Sequence, residues 1–143
     1  WGDRDDGAIR LAMQQSGVEA LRQRKVDHLS GGEQARVWLA RVLAGQPRLL
    51  LADEPIASLD LYYQRSVMET LRRYANDGNG VVLAIHDFSL AARYCDRLCL
   101  MHDGRVDAFG TPAAVLTEAR LSRVFRVPVH VDLAADPPVI TTR

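Results

Sequence analysis

Cysteine is scarce in this sequence: Cys95 and Cys99 are the only two in 143 residues. Two thiols are too few for the disulfide framework of a small secreted domain, and they are expected to be buried and reduced in a cytosolic protein. An excess of charge of either sign is lacking as well. Eighteen basic residues balance eighteen acidic ones and the pI is near 7.1, so the chain has none of the basic surplus of a general nucleic-acid or membrane-surface binder. No apolar run approaches the ~18–20 residues that a membrane-spanning helix needs. The first residues lack the basic-then-apolar plan of a secretion signal. They begin with Trp1 rather than Met, and the chain is expected to be a processed or truncated piece. Repeats and low-complexity tracts are missing too. What remains is an ordinary globular balance, 48% hydrophobic and 25% charged, at a length that suits one domain with a real core.

Helices and strands alternate along the chain. DRDDGAIRLAMQQSGVEALRQR predicts two short helices broken at Ser16-Gly17, and QARVWLARVLAG a strong one. RLLLADEP, an apolar run closed by two acids and a proline, reads as a fully buried strand of the kind found inside parallel sheets, and GVVLAIHD as a second. Between them a helix is expected from about Asp60 to Asn76, with Asp60 as N-cap and Asp77–Gly80 as the turn that follows. FSLAARYC predicts a short helix and RLCLM a third strand. Asp103-Gly104 is a hairpin signal that pairs RLCLM with RVDAFG. Thr111 and Pro112 open another helix as N-cap and first-turn residue. A last helix is expected over Glu118–Phe125, and VPVHV alternates as an edge strand would. The pattern argues for an α/β layer structure with a mostly parallel sheet flanked by helices.

In such sheets ligands bind beyond the carboxyl ends of the strands, so the polar residues closing the apolar runs matter most. Asp53 and Glu54 close one, His86 and Asp87 the other. An aspartate there is placed to hold a magnesium ion. A neighbouring glutamate is placed to polarise a water for attack on a phosphate, and a neutral imidazole to hydrogen-bond the water or a phosphate oxygen. The same residues are also ordinary polar ends of strands.

Residues 29–34 read LSGGEQ. Ser30 followed three residues later by Glu33 is a capping box, which needs no function to explain it. The box gains nothing from Gly31 and Gly32, since glycine costs a helix interior roughly 1 kcal/mol against alanine. A phosphate-binding helix start does gain, because bare backbone lets an anion reach the free N–H groups and the positive end of the dipole.

LSGGEQARVWLARVL, then LLLADEP, then ASLD at 57–60, then a strand ending in His86, in this order, resembles the ATPase subunit of ABC transporters. The resemblance runs from about Val26 to Leu116. It implies a P-loop NTPase fold in which LSGGEQ is the signature motif and LLLADE the Walker B strand. Asp53 would then be the magnesium residue and Glu54 the catalytic glutamate. Ser58 and Asp60 would form the D-loop, and His86 would be the switch histidine. Residues 1–24 resemble the end of the family's helical subdomain, 25–116 the core that carries these motifs, and 117–143 a C-terminal helix and tail. The run HDFSLAARYCDRLCLMHDGRVDAFGTPAAVL resembles importer ATPases for iron chelates, haem or cobalamin.

One departure shapes the expectation. The family grips ATP with a G-x-x-x-x-G-K-[ST] loop. The only lysine here is Lys25, preceded by RQR, with no glycine loop. The chain is therefore expected to be the C-terminal part of the ATPase, inactive alone. The resemblance implies ATP and Mg2+ as cofactors and a head-to-tail dimer with a second ATPase subunit. Ser30, Gly31, Gly32, Glu33 and Gln34 would act in trans on that partner's nucleotide, and Asp60 would cross the interface. Asp53, Glu54 and His86 would act in cis. Membrane permease subunits would be the other direct partners, with a periplasmic or extracellular binding protein engaged indirectly and no nucleic acid involved. The location implied is the cytoplasmic face of the cell membrane. A non-transport ABC-type ATPase, or a module that caps nucleotide without hydrolysis of its own, are the competing readings.

Overall fold

The computed structural model of the chain describes residues 3–57 and 59–142. The chain divides after Ala84 into two compact units.

In the first unit, helix α1 (Asp3–Gln15) stops where expected, at Ser16-Gly17, because Gly17 takes a left-handed φ of 63°. The second helix expected beyond it shrinks to a 3-10 turn at Glu19–Leu21, and another 3-10 turn covers Val26–His28. Of the apolar residues that suggested a helix there, Val18 is buried, whereas residues 22–28 are all exposed. A helix with no face to bury gains little, and a segment this short is below the length at which helix sustains itself.

Helix α2 (Gly31–Ala44) packs on α1, burying Ala40 and Leu43. Strand β1 (Leu49–Asp53) pairs in parallel with β2 (Gly80–Ala84), and α3 (Leu61–Asn76) is the crossover between them. Val67, Met68, Leu71 and Tyr74 make its buried stripe at helical spacing. Asp60 caps α3 as expected, its carboxylate accepting from the Tyr63 N–H at 3.0 Å. Tyr74 ends the stripe, and its hydroxyl donates to the Pro47 carbonyl at 2.6 Å, tying the end of α3 to the chain entering β1. Burial raises the pKa of that hydroxyl.

The two strands of this sheet are not buried on both faces. Leu50 is 4% exposed, but Leu51 and Val82, which face each other across the ladder, are 72% and 58% exposed, and Leu49 is open as well. An unbroken apolar run is compatible with either outcome, because successive residues of a strand serve opposite faces and each face is covered or left open separately.

The second unit starts with α4 (Phe88–Tyr94), capped by Asp87. Strand β3 (Leu98–His102) forms as expected, and its partner is β4 (Arg105–Gly110), antiparallel to it. The turn between them is Asp103-Gly104, both left-handed at φ 48° and 72°, which matches the twist of a two-residue hairpin. Thr111 and Pro112 open α5 (Pro112–Val115), and Thr117 caps α6 (Glu118–Phe125). The tail supplies a second hairpin, β5 (Val129–Asp132) with β6 (Val139–Thr142). Leu100, Val115, Leu116, Leu121, Val124 and Val129 form the core. The thiols depart from expectation: Cys95 is half-buried and Cys99 exposed. Alternation along β3 gives the inward place to Leu100 and turns its neighbours Cys99 and Met101 outward.

Candidate functional site

The candidate residues are built from two local devices in the first unit and a loop in the second. The first device is the start of α2. Ser30 adopts an extended backbone, and its Oγ accepts from the Glu33 N–H at 3.3 Å, while Glu33 Oε2 accepts from the Ser30 N–H at 2.8 Å. The capping box is thus complete in both directions. That Ser30 N–H is the main cause holding the Glu33 carboxyl below its ordinary range, with Arg24 and Arg36 adding to it. Gln34 turns backwards, and its Nε2 donates to the carbonyls of Leu29 at 3.1 Å and Val26 at 3.4 Å. It thereby holds the turn that delivers Ser30.

The two glycines differ. A Cβ placed on Gly31 would meet nothing within 4 Å, so the space beside its Cα is open. Gly32 is buried, and a Cβ on it would overlap the ring of Tyr63. The first N–H groups of a helix have no intrahelical partner. The Ser30 hydroxyl takes the Glu33 N–H, which leaves those of Gly31 and Gly32 for an anion. The bareness of Gly31 leaves room for such an anion, whereas that of Gly32 makes room for Tyr63. Spacing gave no sign of this contact, because nothing local to α3 shows which helix the Tyr62-Tyr63 pair will touch.

The second device is the carboxyl end of β1. Asp53 is its last residue and Glu54 the first beyond it, and both side chains are exposed. Glu54 has a left-handed φ of 44°, a region that costs a non-glycine residue energy and is held only when its surroundings require it. The requirement is visible: the Glu54 N–H donates to the Ala84 carbonyl at 3.0 Å, continuing the β1–β2 ladder one residue past the strand. The Glu54 carbonyl then accepts from Ala57 at 3.0 Å and closes a turn. The carboxylate is therefore carried on a backbone fixed at both sides of the residue. Among the described residues no three His, Cys, Asp or Glu side chains gather as a metal cage. Asp53 fits the sparer plan of magnesium, one carboxylate with phosphate oxygens and water completing the shell.

Asp60, as cap of α3, and the start of α2 are brought together through Tyr63. His86 lies two residues past β2 with an exposed side chain, and belongs to the second unit. Ser58 lies outside the described residues. Two open hollows in the first unit, of about 450 and 250 Å³, are lined from α1, the end of α2 and the end of α3, and include none of the candidate residues.

A family model described as ABC transporter matches residues 3–57. Two curated relatives named hemin import ATP-binding protein HmuV are similar to the chain. The one from Thermobifida fusca is 44% identical over 127 residues, covering 89% of this chain and 45% of that protein. The one from Rhodococcus jostii is 49% identical over 129 residues, covering 90% and 44%. The chain spans about half the length of the curated relatives it matches. Among solved structures, an inward-facing ABC transporter described as of metal-chelate type superimposes with a TM-score of 0.84 at 25% identity, over 92% of this chain and 53% of that one. A dimeric ATP-binding cassette in a post-hydrolysis state with ADP and Pi superimposes with a TM-score of 0.64 at 30% identity, over 74% and 46%.

Proposed function

The chain belongs to the ABC transporter ATP-binding family, and from that premise we propose that it is the C-terminal part of the ATP-hydrolysing subunit of an importer for haem or a related iron chelate. The names of the curated relatives and the metal-chelate type neighbour support the substrate class. The observation that carries the hydrolytic role is Glu54, an exposed carboxylate beside Asp53 at the end of a parallel strand, on a left-handed backbone locked by the Ala84 carbonyl.

ATP with Mg2+ would supply the phosphoryl group and the cation that neutralises its developing charge. Asp53 holds the metal side of the site, and Glu54 takes the proton from the attacking water. The turn at 54–57 fixes the backbone from which the carboxylate extends. His86 would orient the water or a phosphate oxygen, the role that the family resemblance gives it. Ser30, Gly31 and Gly32 present a hydroxyl and two amides at the positive end of α2 to the terminal phosphate held by a second ATPase subunit, arranged head to tail. Glu33 and Gln34 serve that surface indirectly, the first through the capping box and the second by fixing the turn before it. Asp60 stands beside the partner's site. The dimeric post-hydrolysis neighbour supports a pairing of subunits. Permease subunits, a binding protein reached through them, and a place at the cytoplasmic membrane face complete the reading. No described helix is long and apolar enough to cross a membrane.

The test is Glu54→Gln in the full reading frame that contains this chain, assembled with its permease. Turnover falls about a hundredfold or more, the usual contribution of a general base, while ATP-bound dimers accumulate on size-exclusion chromatography. Unchanged turnover removes Glu54 from the chemistry.

A further inference from the structure

We propose that Tyr63 is a positioning residue for the signature stretch, its ring wedged against Gly32 so that the opening turns of α2 and α3 move as one body. The inference rests on the reading of residues 30–34 as the surface that meets a partner's nucleotide. It goes further by assigning the part that aims this surface.

Four contacts converge on Tyr63. Its N–H donates to Asp60 Oδ1 at 3.0 Å, so its backbone is part of the cap of α3. Its ring occupies the place where any side chain on Gly32 would stand. The Arg36 guanidinium lies 5.0 Å over the ring centroid, and Tyr62 meets the ring edge-on at 5.2 Å. Arg36 is itself held, because its Nη1 donates to the Gly17 carbonyl at 3.0 Å. The ring is therefore flanked by Arg36 and Tyr62, and it presses on the α2 backbone at Gly32.

An anion site made of backbone amides has no side-chain freedom with which to correct its aim. The Gly31 and Gly32 N–H groups point where the first turn of α2 points, and displacements near 1 Å are costly in such a geometry, on the order of a hundredfold in rate. Gly32 without a Cβ gives Tyr63 direct purchase on that turn. Asp60 and the signature turn, both expected at the subunit interface, are thereby linked through one side chain.

Two measurements test this. In the 143-residue chain, urea unfolding is followed for Gly32→Ala, Tyr63→Ala and the double variant. Removing the ring makes room for the added methyl, so the double variant is more stable than the sum of the single losses, and Gly32→Ala costs little in the Tyr63→Ala background. Strict additivity overturns the packing. In the assembled full-length ATPase, Tyr63→Ala lowers kcat about tenfold with KM for ATP within about twofold, since aim is lost and not ground-state binding. Tyr63→Phe, which keeps the ring, stays near wild-type. A rise in KM at unchanged kcat, or an equal fall in both variants, overturns the positioning role. An unmutated assembly without ATPase activity overturns the functional reading instead, and leaves the unfolding cycle to decide the contact.

Discussion

Replacing Ser30 by alanine separates the structural from the chemical use of the signature turn. The change removes the acceptor of the Glu33 N–H and leaves the reverse bond, from the Ser30 N–H to Glu33 Oε2 at 2.8 Å. Loss of a serine N-cap typically costs about 1 kcal/mol. The bond removed is long at 3.3 Å and its partner bond survives, so about 1 kcal/mol is expected and not the upper end of the range. With a urea slope of about 2 kcal/mol per molar, the midpoint moves down by about 0.5 M. Tryptophan fluorescence, to which Trp1 and the α2 residue Trp38 both contribute, reads the transition. Ser30→Thr keeps a capping hydroxyl and holds the midpoint within about 0.2 M of wild-type, the shift that a few tenths of a kcal/mol produce. A midpoint unmoved by Ser30→Ala refutes the cap. In the assembled ATPase the same variant is expected to lose turnover at temperatures far below its unfolding, since the hydroxyl proposed to meet the phosphate is gone. If turnover falls only where the protein unfolds, Ser30 is a cap and nothing more.

Acid provides a second view of the same turn. The Glu33 carboxyl titrates below its ordinary value of 4.5, chiefly because the Ser30 N–H donates to it. A depressed native pKa stabilises the fold above that ordinary value, and the stabilisation is lost as pH falls through the native one. Wild-type therefore loses stability on acidification below about pH 4.5 that Glu33→Gln does not lose; parallel pH profiles for the two would count against the bond. Leu121 is 0% exposed at the centre of the second unit, and Leu121→Ala is expected to cost about 3–4 kcal/mol, read by urea denaturation. A loss under 1 kcal/mol would show that this core is not packed as described. Tyr74→Phe leaves the Pro47 carbonyl without its donor and costs about 1 kcal/mol. Burial raises the Tyr74 pKa, so its stabilisation is full below about pH 10 and is lost as pH climbs through the raised value. The phenylalanine variant should show a flatter alkaline profile, and an identical slope would contradict the burial.

Much of the local structure was legible in advance because its cause lies within four residues. Ser30 and Glu33 satisfy each other's backbone, Asp60 and Thr111 cap the turns they open, and Asp103-Gly104 take left-handed angles that few other pairs accept. The helix over Glu118–Phe125 follows from its own spacing and Thr117 cap. Where the cause lies elsewhere, the reading ran out. The apolar run LLLAD resembles a doubly buried strand, yet which of Leu50 and Leu51 meets a partner depends on what lies on each side. The residues after Gly17 have helical spacing, but beyond the buried Val18 they are mostly exposed, and Glu19–Leu21 forms only a short 3-10 turn. Cys99 is exposed because Leu100 has the inward place, a matter of register with β4.

The signature turn divides the same way. Sequence by itself determined that a helix begins at Gly31, that Ser30 and Glu33 cap it, and that bare backbone stands at its positive end, because capping and dipole are properties of one short segment. Tertiary structure alone decided what each glycine is for. Gly31 stays open, while Gly32 is closed by a tyrosine 31 residues further on, itself pinned by Arg36. A contact across that distance depends on how α2 and α3 cross, and no residue in either helix specifies that crossing without the other.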